Sequence, residues 1–171
     1  MCGIVGYIGN KNATPVLVNA LKKLEYRGYD SAGIAVFNGQ DILVRKVKGA
    51  LKALEEKIAK ETIEGSLGIG HTRWATHGEP SDINAHPHLN ESGTIAVVHN
   101  GIIENFAKLK AWLQSEGVVF KSDTDTEVIA HLINYYYEDS LDIFEAVKAT
   151  VNRLEGSYAL GVLCKDFPDR V

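Results

Sequence analysis

The chain has 171 residues, close to the roughly 150 of one average domain, and is read as a single domain with enough length to bury a core. With 45% hydrophobic and 23% charged residues, its composition is that of a globular protein and excludes disordered, collagen-like and fibrous classes. Lys plus Arg number 18 against 22 Asp plus Glu, a formal charge of −4, and the basic residues are scattered among apolar and acidic neighbours, so no nucleic-acid partner is expected.

Residues 1–9 place Ile4, Val5, Tyr7 and Ile8 among three glycines. This reads as a short buried strand; no basic residue precedes it and the glycines break the apolar run, so it is not a signal peptide. Thr14 then caps a helix with Pro15 in its first turn, and Val16, Leu17, Ala20, Leu21 and Leu24 form its apolar stripe as far as Arg27-Gly28. Strands are expected at 31–37 and 42–47, joined by an Asn38-Gly39 hairpin turn, followed by a helix at 51–60. A strand at 67–74 leads into a long loop at 75–91, of the kind that is usually functional or disordered. The strand at 94–99 contains Ile95 to Val98, one of the longest apolar runs and far short of the roughly 18 residues of a membrane span, so no membrane crossing is expected. Helical patterns occupy 105–115, 126–137 and 141–154, and a last strand 157–164. The turn signal at Asp166 to Asp169 points to a returning strand begun by Arg170-Val171. An open last edge predicts that the domain is incomplete at its C-terminus. Antiparallel-type strand runs with helices between them predict an α+β fold.

Cys2 is a candidate nucleophile because of its position. With Met1 removed, it carries a thiol and a free α-amine of pKa about 7.7–8.0, a usable general base. The alternative is a small buried hydrophobe in the first strand. His71 to Gly78 is dense in ligand-binding groups: Arg73 offers a planar fork for a carboxylate, with hydrogen bonds from Thr76 and His77, or else Arg73 is a surface residue and Trp74 core. Asn100-Gly101 supplies a side-chain amide and a backbone N–H suited to a developing oxyanion, or forms a common turn at the end of its strand. Thr124 with Glu127 forms a capping box, and Asp125 in the first helical turn stays ionised and fit to hold an ammonium group. The histidines at 71, 77, 86, 88, 99 and 131 lack the Cys or acidic partners of a recognisable metal set, and no phosphate loop or full Gly-x-Gly-x-x-Gly is present. Neither a metal nor a cofactor is expected. Cys2 and Cys164 need no bridge, which fits a reducing, cytoplasmic setting.

Taken together, Met1 to Gly6, Glu25 to Gly33, His71 to Pro80, Asn84 to His88, His99 to Asn105 and Ser122 to Glu127 resemble the glutaminase domains of the glutamine–fructose-6-phosphate aminotransferase family, class II amidotransferases. The Tyr-Arg-Gly-Tyr-Asp-Ser-Ala-Gly and Arg-Trp-Ala-Thr-His-Gly segments resemble this branch more than the purine-pathway enzymes. The resemblance implies an N-terminal-nucleophile hydrolase fold, a four-layer αββα sandwich with two mostly antiparallel sheets. It also implies Cys2 as nucleophile, Asn100 and Gly101 as oxyanion donors, Arg73 on the glutamine carboxylate and Asp125 on its ammonium. Trp74, Thr76 and His77 would line the pocket, with Arg27 and Gly28 beside the nucleophile. The implied reaction hydrolyses L-glutamine through a γ-glutamyl thioester. Ammonia then goes to fructose 6-phosphate, bound by isomerase domains that this sequence lacks, in a full-length enzyme that is a homo-oligomer. Amidotransferases serving a purine- or asparagine-pathway acceptor, a catalytically silent glutamine-binding module and a metal-dependent hydrolase using the histidines are the competing readings.

Overall fold

The computed structural model describes residues 2–171. Among them the chain runs β1 (Gly3–Ile8), α1 (Ala13–Lys22), a 3-10 turn (Glu25–Arg27), β2 (Ser31–Phe37), β3 (Ile42–Lys48), α2 (Leu51–Lys60), β4 (Leu67–Arg73), β5 (His88–Leu89), β6 (Ile95–Ile103), α3 (Phe106–Ser115), α4 (Asp125–Ser140), α5 (Ile143–Val151) and β7 (Gly156–Cys164). Local chemistry sets several boundaries. Asn12, not Thr14, caps α1: its Oδ1 accepts from Thr14 N at 3.2 Å, while the Thr14 hydroxyl turns inward and donates to Ile63 O at 2.7 Å. The β2–β3 turn is the expected Asn-Gly hairpin, with Asn38 Oδ1 accepting from Gln40 N and Asp41 N and Gly39 at φ 99°. α5 begins two residues later than its apolar pattern predicts, because Leu141 takes a left-handed φ of 52° and Asp142 becomes the cap.

The strands form two antiparallel sheets, ordered β1-β4-β2-β3 and β5-β6-β7. Helices α1 and α2 cover the outer face of the first, and α3, α4 and α5 lie on the outer side of the second. Three apolar cores separate the four layers. Leu17, Leu21, Ile34 and Leu54 pack beneath α1 and α2; Ala35, Ile69, Ala96, Val98 and Leu163 lie between the sheets; and Val97, Leu113, Ile129 and Leu132 belong to the second helical layer. At about 1.5–3 kcal/mol for each large aliphatic side chain removed from water, this burial is the main stabilising term. α4 is buried continuously from Asp125 to Ile133 because sheet and helices enclose it.

Three elements differ from the sequence reading. The loop 75–91 contains the short strand β5, and its stretch 82–87 runs against β2 and β3 of the first sheet. β6 does not stop at His99 but continues through Asn100-Gly101, which pair with Ala159 and Tyr158 of β7. Arg170 and Val171 form no strand; they line an apolar cleft of about 540 Å³ with β1, β7 and α5. Among the described residues no helix is long and apolar enough to cross a membrane.

The space between the sheets is not apolar throughout. Side chains two apart share a strand face, so Ile69 of the inter-sheet core is succeeded by His71 and Arg73, and Val98 on the opposing sheet by Asn100. The polar end of this layer carries the site.

Candidate active site

The pairing of β1 with β4, Gly3 opposite Thr72, carries Cys2 to the end of β4. There Trp74 N donates to Cys2 Sγ at 3.2 Å, and the thiol lies 3.6 Å from Trp74 O. From the facing sheet, Asn100 Nδ2 donates to Cys2 O at 3.3 Å. Gly101 follows with φ 129°, and a Cβ there would stand 2.2 Å from Ser157 O, so only glycine lets β6 run on past the thiol in register with β7.

Arg73 is 3% exposed. Its Nη2 donates to His77 O and Gly78 O, while Nη1 is buried with no hydrogen-bond partner among the described residues. Burial lowers the guanidinium pKa, and the neighbouring Asp30, Cys2 and Asp125 side chains oppose that shift. A buried, charged donor left open costs upward of about 1–3 kcal/mol, so it marks a place where a partner is absent. Asp125 occupies the first position of α4, where the helix dipole favours its charge. Its Oδ2 accepts from Ile103 N at 3.0 Å, and its two oxygens lie 3.8 Å from the Nδ1 atoms of His77 and His99. The His77 ring packs edge-on against Phe106.

Trp74 is half-exposed and its ring covers Gly28, whose φ is 74°. Arg27 ends the 3-10 turn one residue earlier, and Thr76 is exposed on the loop after Arg73. The structure thus brings Cys2, Trp74 and Asn100 into contact, sets Arg73, His77 and Asp125 behind them, and leaves Thr76 on the surrounding loop.

Several organising residues carry no role in the sequence reading. Asp30 staples the backbone on both sides of Trp74: its N donates to Arg73 O at 2.7 Å and its Oδ2 accepts from Ala75 N at 2.5 Å. Asn84 joins Glu79 O to Asp123 N, at 3.0 Å each. His86 stacks on His71 at 4.2 Å, and Thr126 Oγ1 lies 3.0 Å from both His86 Nε2 and His99 Nδ1. Burial drives His71, His86, His88 and His99 below the ordinary imidazole pKa, His71 to about 3, so they stay neutral at pH 7. The capping box is half-made. Thr124 Oγ1 accepts from Glu127 N, but the Glu127 carboxylate turns to Lys121 N and to the backbone and hydroxyl of Ser122. The nearest sequence signal for these residues was their place in polar segments.

Two facing sheets between helical layers, with a thiol on the second residue at the polar end of their interface, define the class: this is the N-terminal-nucleophile hydrolase fold. The model of a glutamine amidotransferase domain matches residues 71–167, more than half of the sequence, and the chain belongs to that family. It is 63% identical over all 171 residues to the glutamine–fructose-6-phosphate aminotransferase [isomerizing] of Caldanaerobacter subterraneus subsp. tengcongensis, and spans 28% of that relative's length. Among solved structures, it superposes on the allosteric regulatory enzyme of purine biosynthesis with TM-score 0.85 and 28% identity, over 96% of this chain and 36% of that one. The glutamine phosphoribosylpyrophosphate amidotransferase from B. subtilis gives TM-score 0.82 and 27% identity, over 96% of this chain and 35% of that one.

Proposed function

We propose that residues 1–171 are a glutaminase domain that hydrolyses the side-chain amide of L-glutamine. The observation that carries this reading is the open Nη1 arm of Arg73, buried within the field of Cys2 and Asp125. An α-carboxylate on that arm completes the guanidinium fork, and Asp125 takes the α-ammonium, so an amino acid is held by both charges with its side chain directed at the thiol. Trp74, Thr76 and His77 line the pocket, and Arg27 and Gly28 flank the nucleophile.

In this mechanism Cys2 Sγ attacks the amide carbon, and its proton passes by way of the Cys2 α-amine to the departing ammonia. Asn100 Nδ2 and the Gly101 N–H stabilise the tetrahedral oxyanion. Water then cleaves the γ-glutamyl thioester and releases glutamate. The free amine requires removal of Met1, which lies outside the described residues. The relative's name supports fructose 6-phosphate as the ammonia acceptor; in this reading it is bound by isomerase domains in the length that this chain does not span, and the full enzyme is a cytoplasmic homo-oligomer.

The test is glutamate release by the full-length protein together with the mass of its N-terminus. Loss of Met1, and loss of glutamate release in Cys2→Ser, are the expected results. A Cys2→Ser enzyme working at the parent rate overturns the reading.

A further inference from the structure

Resting on the glutaminase reading, we propose that Lys46 is a positioning residue for amino-acid binding: from β3 it tethers the segment 83–87 and, through it, aligns Arg73 with Asp125. Lys46 Nζ donates to three carbonyls of that segment, Ile83 O at 3.0 Å, Ala85 O at 2.8 Å and Pro87 O at 3.3 Å. The three sit at alternate residues, so one ammonium with its three donors gathers one side of the segment. The segment is also pressed on β2, where a Cβ at Gly33 would stand 2.1 Å from His86 O and 2.6 Å from Lys46 Cβ.

The tethered side chains reach both halves of the site. Asn84 donates to Glu79 O, just beyond the His77 and Gly78 carbonyls that hold Arg73, and accepts from Asp123 N, two residues before Asp125. His86 meets Thr126, the residue after Asp125, and its Nδ1 accepts from His99 N at 3.4 Å. Arg73 comes from the first sheet and Asp125 from the helical layer beyond the second, so the segment is the piece that relates them. A neutral aliphatic side chain at 46 would leave three carbonyls unanswered.

The tether is sensitive to alkali. Burial lowers the Lys46 pKa to about 8; Glu127 of α4 and Asp82 act to raise it, and Arg73 of β4 and Lys57 of α2 to lower it. Lys46 lines a small cavity that His88 of β5 and Lys121 also line. Above about pH 8 the ammonium loses one donor and its charge.

Lys46→Met in the full chain, compared with the parent and with Lys46→Arg, tests the proposal. At neutral pH the expected result is a KM for glutamine raised about tenfold with kcat within about twofold, and Lys46→Arg recovering at least part of the loss. The ratio of the two KM values, Met variant over parent, falls at least about threefold by about pH 9.5, because the parent has then lost its own tether charge; titration of the substrate amine affects both enzymes and cancels. A ratio below about two at neutral pH, or one that stays constant with pH, overturns the proposal. If the parent releases no glutamate, the glutaminase reading fails, and amide exchange decides the role of Lys46. Exchange about tenfold faster at 77–79 and 122–125, with β2 and β4 unchanged, supports the tether. Equal exchange, or protection lost throughout, rejects it.

Discussion

Asn100 reaches the Cys2 backbone from the second sheet and Arg73 belongs to the first, and the proposed mechanism makes their removal fail differently. Asn100 Nδ2 sits on the Cys2 carbonyl beside the nucleophile, and in the proposed mechanism it stabilises charge that develops on the substrate's amide oxygen only as the amide is attacked. Asn100→Ala is therefore expected to lower kcat about 10²- to 10³-fold with KM little changed. Arg73→Ala removes the arm proposed to meet the substrate carboxylate, so KM is expected to rise far more than kcat falls. Steady-state glutamate release on both variants checks the split, and a pure KM effect at Asn100 contradicts the assignment. Gly101→Ala collides with Ser157 O and is expected to lose turnover with the Asn100 variant, not with the Arg73 one. At this scale the sequence showed which functional groups were available, but not which bonds they make. The fork of Arg73 was visible as a residue type; that two carbonyls take one arm and, among the described residues, nothing takes the other depends on how the chain turns at His77 and Gly78.

The elements most exposed to tertiary override were β6 and the start of α4. Asn-Gly is a turn pair in isolation, yet β7 supplies a partner across Asn100 and Gly101, and the ladder continues because Gly101 has no Cβ to obstruct it. The stripe of α1 was legible because Leu17 and Leu21 recur at helical spacing, whereas its cap was not, since Asn12 and Thr14 are both good caps and only the Ile63 carbonyl decides between them. At α4, burial raises the Glu127 pKa, but hydrogen bonds from His131, Ser122 and the Lys121 and Ser122 backbone outweigh it and hold the group at about 2. A carboxyl held below its ordinary value of 4.5 stabilises the fold above that pH and loses the contribution as pH falls toward 2. Glu127→Gln should thus lower the urea midpoint at neutral pH, by about 1.5–3 kcal/mol in stability, and remove this residue's part of the acid slope. An unchanged midpoint counts against the carboxylate as the clasp of 121–124.

Across the whole molecule, three apolar cores hold four layers, and the middle one ends in buried imidazoles. His71, His86, His88 and His99 are kept neutral by burial, while the unfolded chain protonates them near pH 6.5. Lowered histidine pKa values mean that the unfolded state binds more protons below that point, so stability drops as pH falls from 6.5, by up to about 1.4 kcal/mol per pH unit for each group. Urea titrations between about pH 7 and pH 5 should show this decline well above the carboxylate range, and a flat profile argues that these rings already carry protons when folded. The layering was legible from alternating strand and helix patterns. The assembly of its polar end was not, because Lys46, Asn84, His86 and Thr126 meet only through contacts between distant segments. Finally, β1 is bonded along one side only, to β4, among the described residues. Sliding it by two positions would carry the sulfur about 6.6–6.8 Å from the Trp74 peptide, and sliding it by one would turn the sulfur through to the outer surface of its sheet. On the proposed mechanism, alignment of this single six-residue ribbon is therefore a condition for turnover separate from the presence of the thiol itself.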